Sequence, residues 1–201
     1  METHTKKRTS CGRPKKLSRS YTIETAMQAY WEHGVKNVSL NEVCRLSKIS
    51  KSSFYHEFGS EDTFMQAVLE HYENSILKTL WQSQPENTPL KQRLAFMAEI
   101  FSSHDNPNST GCLLAKMLNN QAYLGQVTVQ QIHQVQHNII QTCATWIDQA
   151  KQNGELSTST DTQILARYLY AQINNAANMQ AQGEPPKHIQ STLELAFSIF
   201  K

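Results

Sequence analysis

Apolar residues along the chain recur three and four positions apart and hardly anywhere in strict alternation, the spacing of helices with one buried face. Ile23, Met27, Tyr30 and Trp31 share a face of a helix predicted over 19–33, which Gly34 closes as a C-terminal cap. Ser39-Leu40-Asn41-Glu42 spells a capping box, in which Ser39 and Glu42 each satisfy an otherwise orphaned backbone N–H. The helix it starts turns Leu40, Val43 and Leu46 inward and stops near Ser47. Ser50 is a second N-cap and opens a short helix over 51–58 that Gly59 ends. Ser60, followed by the first-turn acids Glu61 and Asp62, starts a helix reaching about Trp81 along Phe64, Val68, Tyr72, Ile76 and Leu80. After the Pro-rich break at 84–89, helices are predicted at 90–103, 111–124, 126–153, 161–182 and 186–200, the fourth opened by another capping-box spelling, Thr160-Asp161-Thr162-Gln163. The expectation is an all-α chain of about nine helices.

Composition narrows the class without changing that picture. With 201 residues, 39% hydrophobic and 18% charged, 7 Gly and 6 Pro, the chain suits one mid-sized domain or a small domain fused to a larger one. Collagen-like, low-complexity and fully disordered chains are excluded. Apolar runs such as Leu113-Leu114-Ala115 stop far short of the roughly 20 residues a spanning helix needs. No apolar run follows the basic N-terminus, so neither a membrane partner nor a secretory signal is expected. Cysteines at 11, 44, 112 and 143 form no CxxC pair, as expected of reduced thiols in a cytoplasmic protein.

Charge does change the picture. Residues 1–60 hold 11 Lys/Arg against 5 Asp/Glu, whereas the remainder holds 8 against 12. A small basic end on an acidic body points to a polyanion contacted at one end only. Two short helices joined by a tight turn within that basic end fit a helix-turn-helix, whose second helix must carry small or hydrogen-bonding side chains at its N-terminal turns. Ser50, Lys51, Ser52 and Ser53 occupy those positions, with Phe54 and Phe58 anchoring the opposite face and Tyr55 and His56 one turn on. From spacing alone the same pattern also fits a helical hairpin whose serines serve only as caps.

The residues themselves resemble a known family. Val38-Ser39-Leu40-Asn41-Glu42-Val43-Cys44, then Ile49-Ser50-Lys51-Ser52-Ser53-Phe54-Tyr55-His56-Glu57-Phe58, are similar to the N-terminal domain of the tetracycline-repressor (TetR/AcrR) family. Gly34, Ser60 and the Gly12-Arg13-Pro14-Lys15-Lys16 arm fit as well, and the close resemblance covers about 17–69. It implies a basic arm over 1–17, a helix-turn-helix DNA-binding domain over 18–62 and a helical effector-binding and dimerisation domain over 63–201. It also implies Ser39, Tyr55 and His56 on phosphates, Lys51, Ser52 and Ser53 at or near base edges, and Arg13, Lys15 and Lys16 as a minor-groove or phosphate-tracking arm. Two departures stand out: Lys48 occupies the turn where the family commonly has Gly, and Glu61 stands where it commonly has a phosphate-binding Lys. Lys48 is a candidate to replace that lost contact.

For the body the resemblance is looser. It implies a homodimer built on the last two helices, whose stripes carry Leu165, Tyr168, Leu169, Ile173 and Ala176, then Ile189, Leu193 and Phe197. It implies a pocket for an unknown small-molecule effector, for which Phe64, Phe96, Phe101, Tyr123, Trp146 and Gln172 are candidates. Cys112, at a helix start where the dipole lowers a thiol pKa, is the candidate for an alternative redox or electrophile sensor. His133 and His137 lie four apart without a third metal ligand, and no P-loop, dinucleotide motif or Ser-His-Asp order suggests a metal, cofactor or enzyme. The resulting expectation is a cytoplasmic, nucleoid-associated bacterial repressor on a palindromic double-stranded operator.

Overall fold

Local capping chemistry sets most of the helix boundaries. A computed structural model describes residues 19–103, 110–157 and 159–200, and among these there is helix but no strand. Helix α1 (Arg19–His33) ends as Gly34 enters the left-handed region at φ 83° and donates to the Tyr30 carbonyl. Helix α2 (Leu40–Leu46) is capped by Ser39, whose hydroxyl accepts from the Glu42 amide at 3.3 Å. Glu42 does not complete the predicted box, because its carboxylate is taken by both Arg45 nitrogens at 2.9 and 2.6 Å. Helix α3 (Lys51–Phe58) is capped by Ser50, which accepts from the Ser53 amide at 3.1 Å.

Helix α4 is continuous but not uniform. It runs Glu61–Tyr72, passes through a π turn at Glu73–Leu77 and resumes at Lys78–Gln82. The extra residue in that turn rotates the later half of the helix. Burial therefore passes from Tyr72 to Leu77 and Trp81, rather than to the expected Ile76 and Leu80, which are half-buried. Among the described residues a reciprocal capping box forms at the start of α4, where Ser60 accepts from the Thr63 amide and Thr63 accepts from the Ser60 amide.

The remaining helices are α5 (Leu90–Ser102), α6 (Leu113–Leu118), α7 (Gln126–Gln152), α8 (Thr162–Ala181) and α9 (Pro186–Phe197), with single 3₁₀ turns at Gln121–Tyr123 and Ser198–Phe200. Nine helices result among the described residues when α4 is counted as one, in agreement with the sequence. The predicted helix over 111–124 is the exception: it breaks after Leu118, where the Asn120 side chain bonds the Lys116 carbonyl in competition with the backbone. Helix α8 is capped one residue later than its spelling suggests, by Asp161 accepting from the Ile164 amide at 3.0 Å.

Helices α1 and α3 pack on α4, and α2 packs on both α1 and α3, with a ring cluster of Phe54, Phe58 and Phe64 whose centroids lie 4.6–5.1 Å apart. The body packs α4 on α7, α7 on α8, and α9 on both α5 and α8. No helix among the described residues is long and apolar enough to cross a membrane.

Candidate nucleic-acid interface and effector cavity

The three-helix head presents a polar end. Its core anchors are Phe54 and Phe58, so the other face of α3 must turn outward, and Lys51, Ser52, Ser53, Tyr55 and His56 are all exposed. Ser39 and Lys48 are exposed beside them. Lys48 holds φ 53°, the only non-glycine residue in the left-handed region among those described, so the turn takes its sharp form despite lacking glycine. The Ile49 amide reaches back to the Cys44 carbonyl at 3.0 Å and closes that turn. Arg19 and Arg45 are engaged by Glu57 and Glu42, whereas Lys48 and Lys51 are in no ion pair among the described residues. Tyr55 donates its hydroxyl to Glu61 at 3.1 Å, which pushes the phenol pKa up. Arg13, Lys15 and Lys16 lie outside the described residues.

Where the head meets the body, sequence reasoning missed most of the chemistry. Asp62 was legible only as a first-turn acid of α4, yet it also caps a second helix. Its carboxylate accepts from the Val127 amide at 3.0 Å, the Thr128 amide at 2.9 Å and the Thr128 hydroxyl at 2.6 Å, at the start of α7. Burial alone would raise the Asp62 carboxyl, but the donors from Thr128 and Val127 outweigh it and hold the pKa below its ordinary value. A side chain at Gly125 would overlap that carboxylate. Nearby, the Lys36 ammonium stands 3.8 Å above the Tyr123 ring, and the Trp31 indole donates to the Gly111 carbonyl at 2.6 Å. The faint sequence signal was a glycine before a Val-Thr step at a helix start.

Two cavities share the wall formed by Leu77, Trp81 and Ile139. The inner one, about 50 Å³, is lined by Tyr72, Ile76, Leu80, Phe101, Cys112 and Tyr170 among others. The outer one is an open cleft of about 730 Å³ between α4 and α7, lined by Glu73, Lys78, Trp146 and Gln149. Trp81 and Trp146 meet there with centroids 5.1 Å apart, and the Arg93 guanidinium covers the other indole at 4.8 Å from the Trp146 centroid. Of the sequence candidates, Phe101 lines the inner cavity and Trp146 the cleft. Phe64 lines neither, because it fills the head's ring cluster. Tyr123 is 70% exposed beneath Lys36, and Phe96 and Gln172 are half-buried away from both cavities.

Cys112 is the N-cap of α6, but its thiol is not acidified. Burial pushes its pKa up, and the Tyr72 hydroxyl, the amides of Ala115 and Leu114 and the Lys116 charge do not offset that. The Tyr72 hydroxyl donates to the sulfur at 3.4 Å. The short helix and the apolar wall together overturn the dipole argument made from the sequence. Cys44 and Cys143 are buried free thiols, both with raised pKa values, the latter about 12.

Comparison with known proteins places this arrangement. Residues 23–68 match the family described as bacterial regulatory proteins, tetR family. The HTH-type transcriptional repressor ComR of Escherichia coli K12 is 26% identical over 171 residues, covering 80% of this chain and 78% of ComR. The match to the tetR family thus falls on the helix-turn-helix end of the chain. The chain shares the fold of E. coli NemR, solved in its reduced form, with a TM-score of 0.76 and 22% identity over 90% of this chain and 96% of that one. It shares it too with a cysteine-substituted CifR bound to a 26-base-pair operator, with a TM-score of 0.73 and 19% identity over 92% and 97% of the two chains. The comparisons support a transcriptional repressor of TetR type.

On this scaffold the dimer stripe read from the sequence turns inward. Leu169, Ile173, Ala176, Ile189, Leu193 and Phe197 are buried within the single chain, Leu165 is half-buried, and Tyr168 donates to the Ala196 carbonyl at 3.3 Å. The apolar residues left exposed on the α8–α9 hairpin are Ile164 (64%), Leu195 (75%) and Ile199 (52%). The Tyr168–Ala196 bond shows the two helices running antiparallel, so these three sit at one end of the hairpin. Periodicity finds a buried stripe but does not distinguish burial by a neighbouring helix from burial by a partner.

Proposed function

We propose that two copies of this chain bind a two-fold double-stranded DNA operator through α3 and block transcription until a small effector enters the body. The observation that carries the reading is the outward face of α3, where Lys51, Ser52 and Ser53 stand exposed at the N-terminal turns of a helix pinned from behind by Phe54 and Phe58. Small side chains let the helix approach base edges, and Lys51 reaches a guanine edge or a phosphate. Ser39, Lys48, Tyr55 and His56 fit as phosphate contacts, Tyr55 exchanging its Glu61 partner for a phosphate oxygen. The solution of CifR, which shares this fold, as a complex with double-strand operator DNA supports a DNA partner. Under this reading 18–62 is the DNA-binding unit and 63–201 the effector-binding and dimerisation unit, with Ile164, Leu195 and Ile199 meeting their counterparts in the partner.

The effector site is the inner cavity opened toward the cleft. Roughly 300–1,000 Å³ is usual for a ligand site, so the inner cavity is closed in this conformation, and of the two only the cleft has the size. An effector reaches Phe101 and Tyr170 only by displacing Leu77, Trp81 or Ile139, and that displacement is what would favour a second conformation. The test is selection of bound duplexes from a random pool, followed by binding at several salt concentrations. A recovered palindrome with a steep salt slope supports the reading, and an unselective pool sinks it.

A second reading rests on one observation: the Cys112 sulfur lies on the cavity wall, in reach of whatever enters. Alkylation or oxidation of that thiol would then be the releasing event, as fits a likeness to a repressor solved in a reduced form. Loss of DNA binding on treatment with a mild thiol oxidant, absent in Cys112→Ser, separates the two.

A further inference from the structure

We propose that Asp62 is the positioning residue that locks the DNA-reading head to the body and thereby fixes the spacing between the two half-sites the repressor accepts. The inference rests on the operator reading above and adds to it a residue that contacts no DNA. Its basis is a continuous set of bonds from the reading helix to the longest helix of the body. Helix α3 ends at Phe58, whose carbonyl accepts from the Thr63 hydroxyl, so the end of α3 is tied to the first turn of α4. The Ser60–Thr63 box makes that turn rigid. Asp62, in the same turn, carries the head across to α7. Its carboxylate takes three donors from Val127 and Thr128, and the Thr128 hydroxyl also lies 3.0 Å from the Asp62 carbonyl oxygen.

Two features mark this as a fitted joint rather than a surface pairing. Thr128 is fully buried, and the Gly125 backbone lies where any side chain would collide with the carboxylate. A carboxylate at a helix N-terminus also answers the unpaired amides and the positive end of the dipole, so α7 gains its cap only with the head in this orientation. The head also rests on α4 itself, through the Phe54–Phe58–Phe64 cluster, the Trp31–Tyr72 ring contact and the Glu24–His71 ion pair, while its other ties to the rest of the body are single contacts: Lys36 over Tyr123, the Trp31 indole on Gly111, and Lys116 on the Trp31 carbonyl. Without Asp62 the head stays on α4 but loses its several directional bonds to α7, so the head and the first turns of α4 pivot more freely against the body. The scale that matters is set by DNA. One base pair moves a half-site by about 3.4 Å and, at about 10.5 base pairs per turn, swings it around the duplex by about 35°. A head held by several directional bonds rejects that change, whereas a pivoting head follows it.

The experiment uses the full-length chain and the duplex selected above, with one base pair inserted or deleted at its centre. The wild-type protein is expected to lose about tenfold in affinity or more on the altered duplexes, the range typical of coupled sites. Asp62→Ala and Thr128→Val should bind the unaltered duplex more weakly and reduce the spacing penalty to about threefold or less, while the salt slope, which counts phosphate contacts, stays that of the wild type. Asp62→Asn, which keeps one carbonyl acceptor, should fall between. Far-UV circular dichroism and cooperative melting identify the folded variants, and if Asp62→Ala fails to fold, Thr128→Val and Asp62→Asn carry the comparison. A folded variant that keeps the wild-type spacing penalty overturns the proposal alone. A wild-type protein with no duplex preference overturns the operator reading and this proposal with it.

Discussion

The head and the body solve the same problem, holding a functional surface in place, by opposite means. In the head, three short helices are fixed by local devices: Ser39, Ser50 and Ser60 caps, the Gly34 and Gly59 turns, and a cluster of three phenylalanines. Its candidate DNA-binding side chains are exposed because their neighbours in sequence are buried. In the body the cavity walls come from residues far apart in sequence, such as Tyr72, Phe101, Cys112 and Tyr170. No local device places them, and only packing of α4 through α8 does. The difference teaches where each part will tolerate change: the head at its surface but not its caps, the body at its helix ends but not its walls.

The sharpest way to break this comparison is to remove the head's anchor. Phe54→Ala empties the centre of the ring cluster and should cost about 4 kcal/mol, read as a lowered urea midpoint together with lost DNA binding. Retention of both would mean that the caps alone hold the head. Lys51→Ala leaves the fold intact and should weaken operator binding by about 2 kcal/mol, with an unchanged melting curve. On the body's outer surface, Leu195→Glu should shift the chain to monomer in analytical ultracentrifugation without lowering its helix content. An unchanged sedimentation coefficient would remove the exposed hairpin end from the interface.

Smaller effects sharpen the contrast between local and long-range control. Lys48→Gly relieves a left-handed backbone and should raise stability by up to about 1 kcal/mol after the entropy lost by glycine is counted, seen as a higher melting temperature. A lower one would show the Lys48 side chain holding the turn. Asp62 has its pKa depressed in the folded chain, so its contribution is present above the unfolded aspartate value and is lost as the pH falls through the folded one. The stability gap between wild type and Asp62→Asn should therefore close below about pH 4, with no change between pH 6 and 8.

Much of the molecule was readable before its structure, and for a physical reason. Helix boundaries depend on caps, turns and periodicity within a few residues, so α1 to α3, α5, α7, α8 and α9 begin and end close to where the sequence places them. The π turn in α4 escaped because it leaves every residue helical and changes only which ones face inward. Glu42 escaped as a cap partner because Arg45, three residues on, competes for its carboxylate. Phe64 and the α8–α9 stripe were misassigned because an aromatic or apolar residue at helical spacing declares that it is buried, not what covers it, and Tyr123 because the helix expected to carry it ends at Leu118 and leaves the ring 70% exposed. The sequence by itself determined most of the helices, the basic N-terminal end and the exposed polar face of α3, since these follow from composition and from interactions between near neighbours. The tertiary structure decided the cavity, the exposed hairpin end and the second cap made by Asp62, since each joins groups tens of residues apart whose meeting no local pattern records.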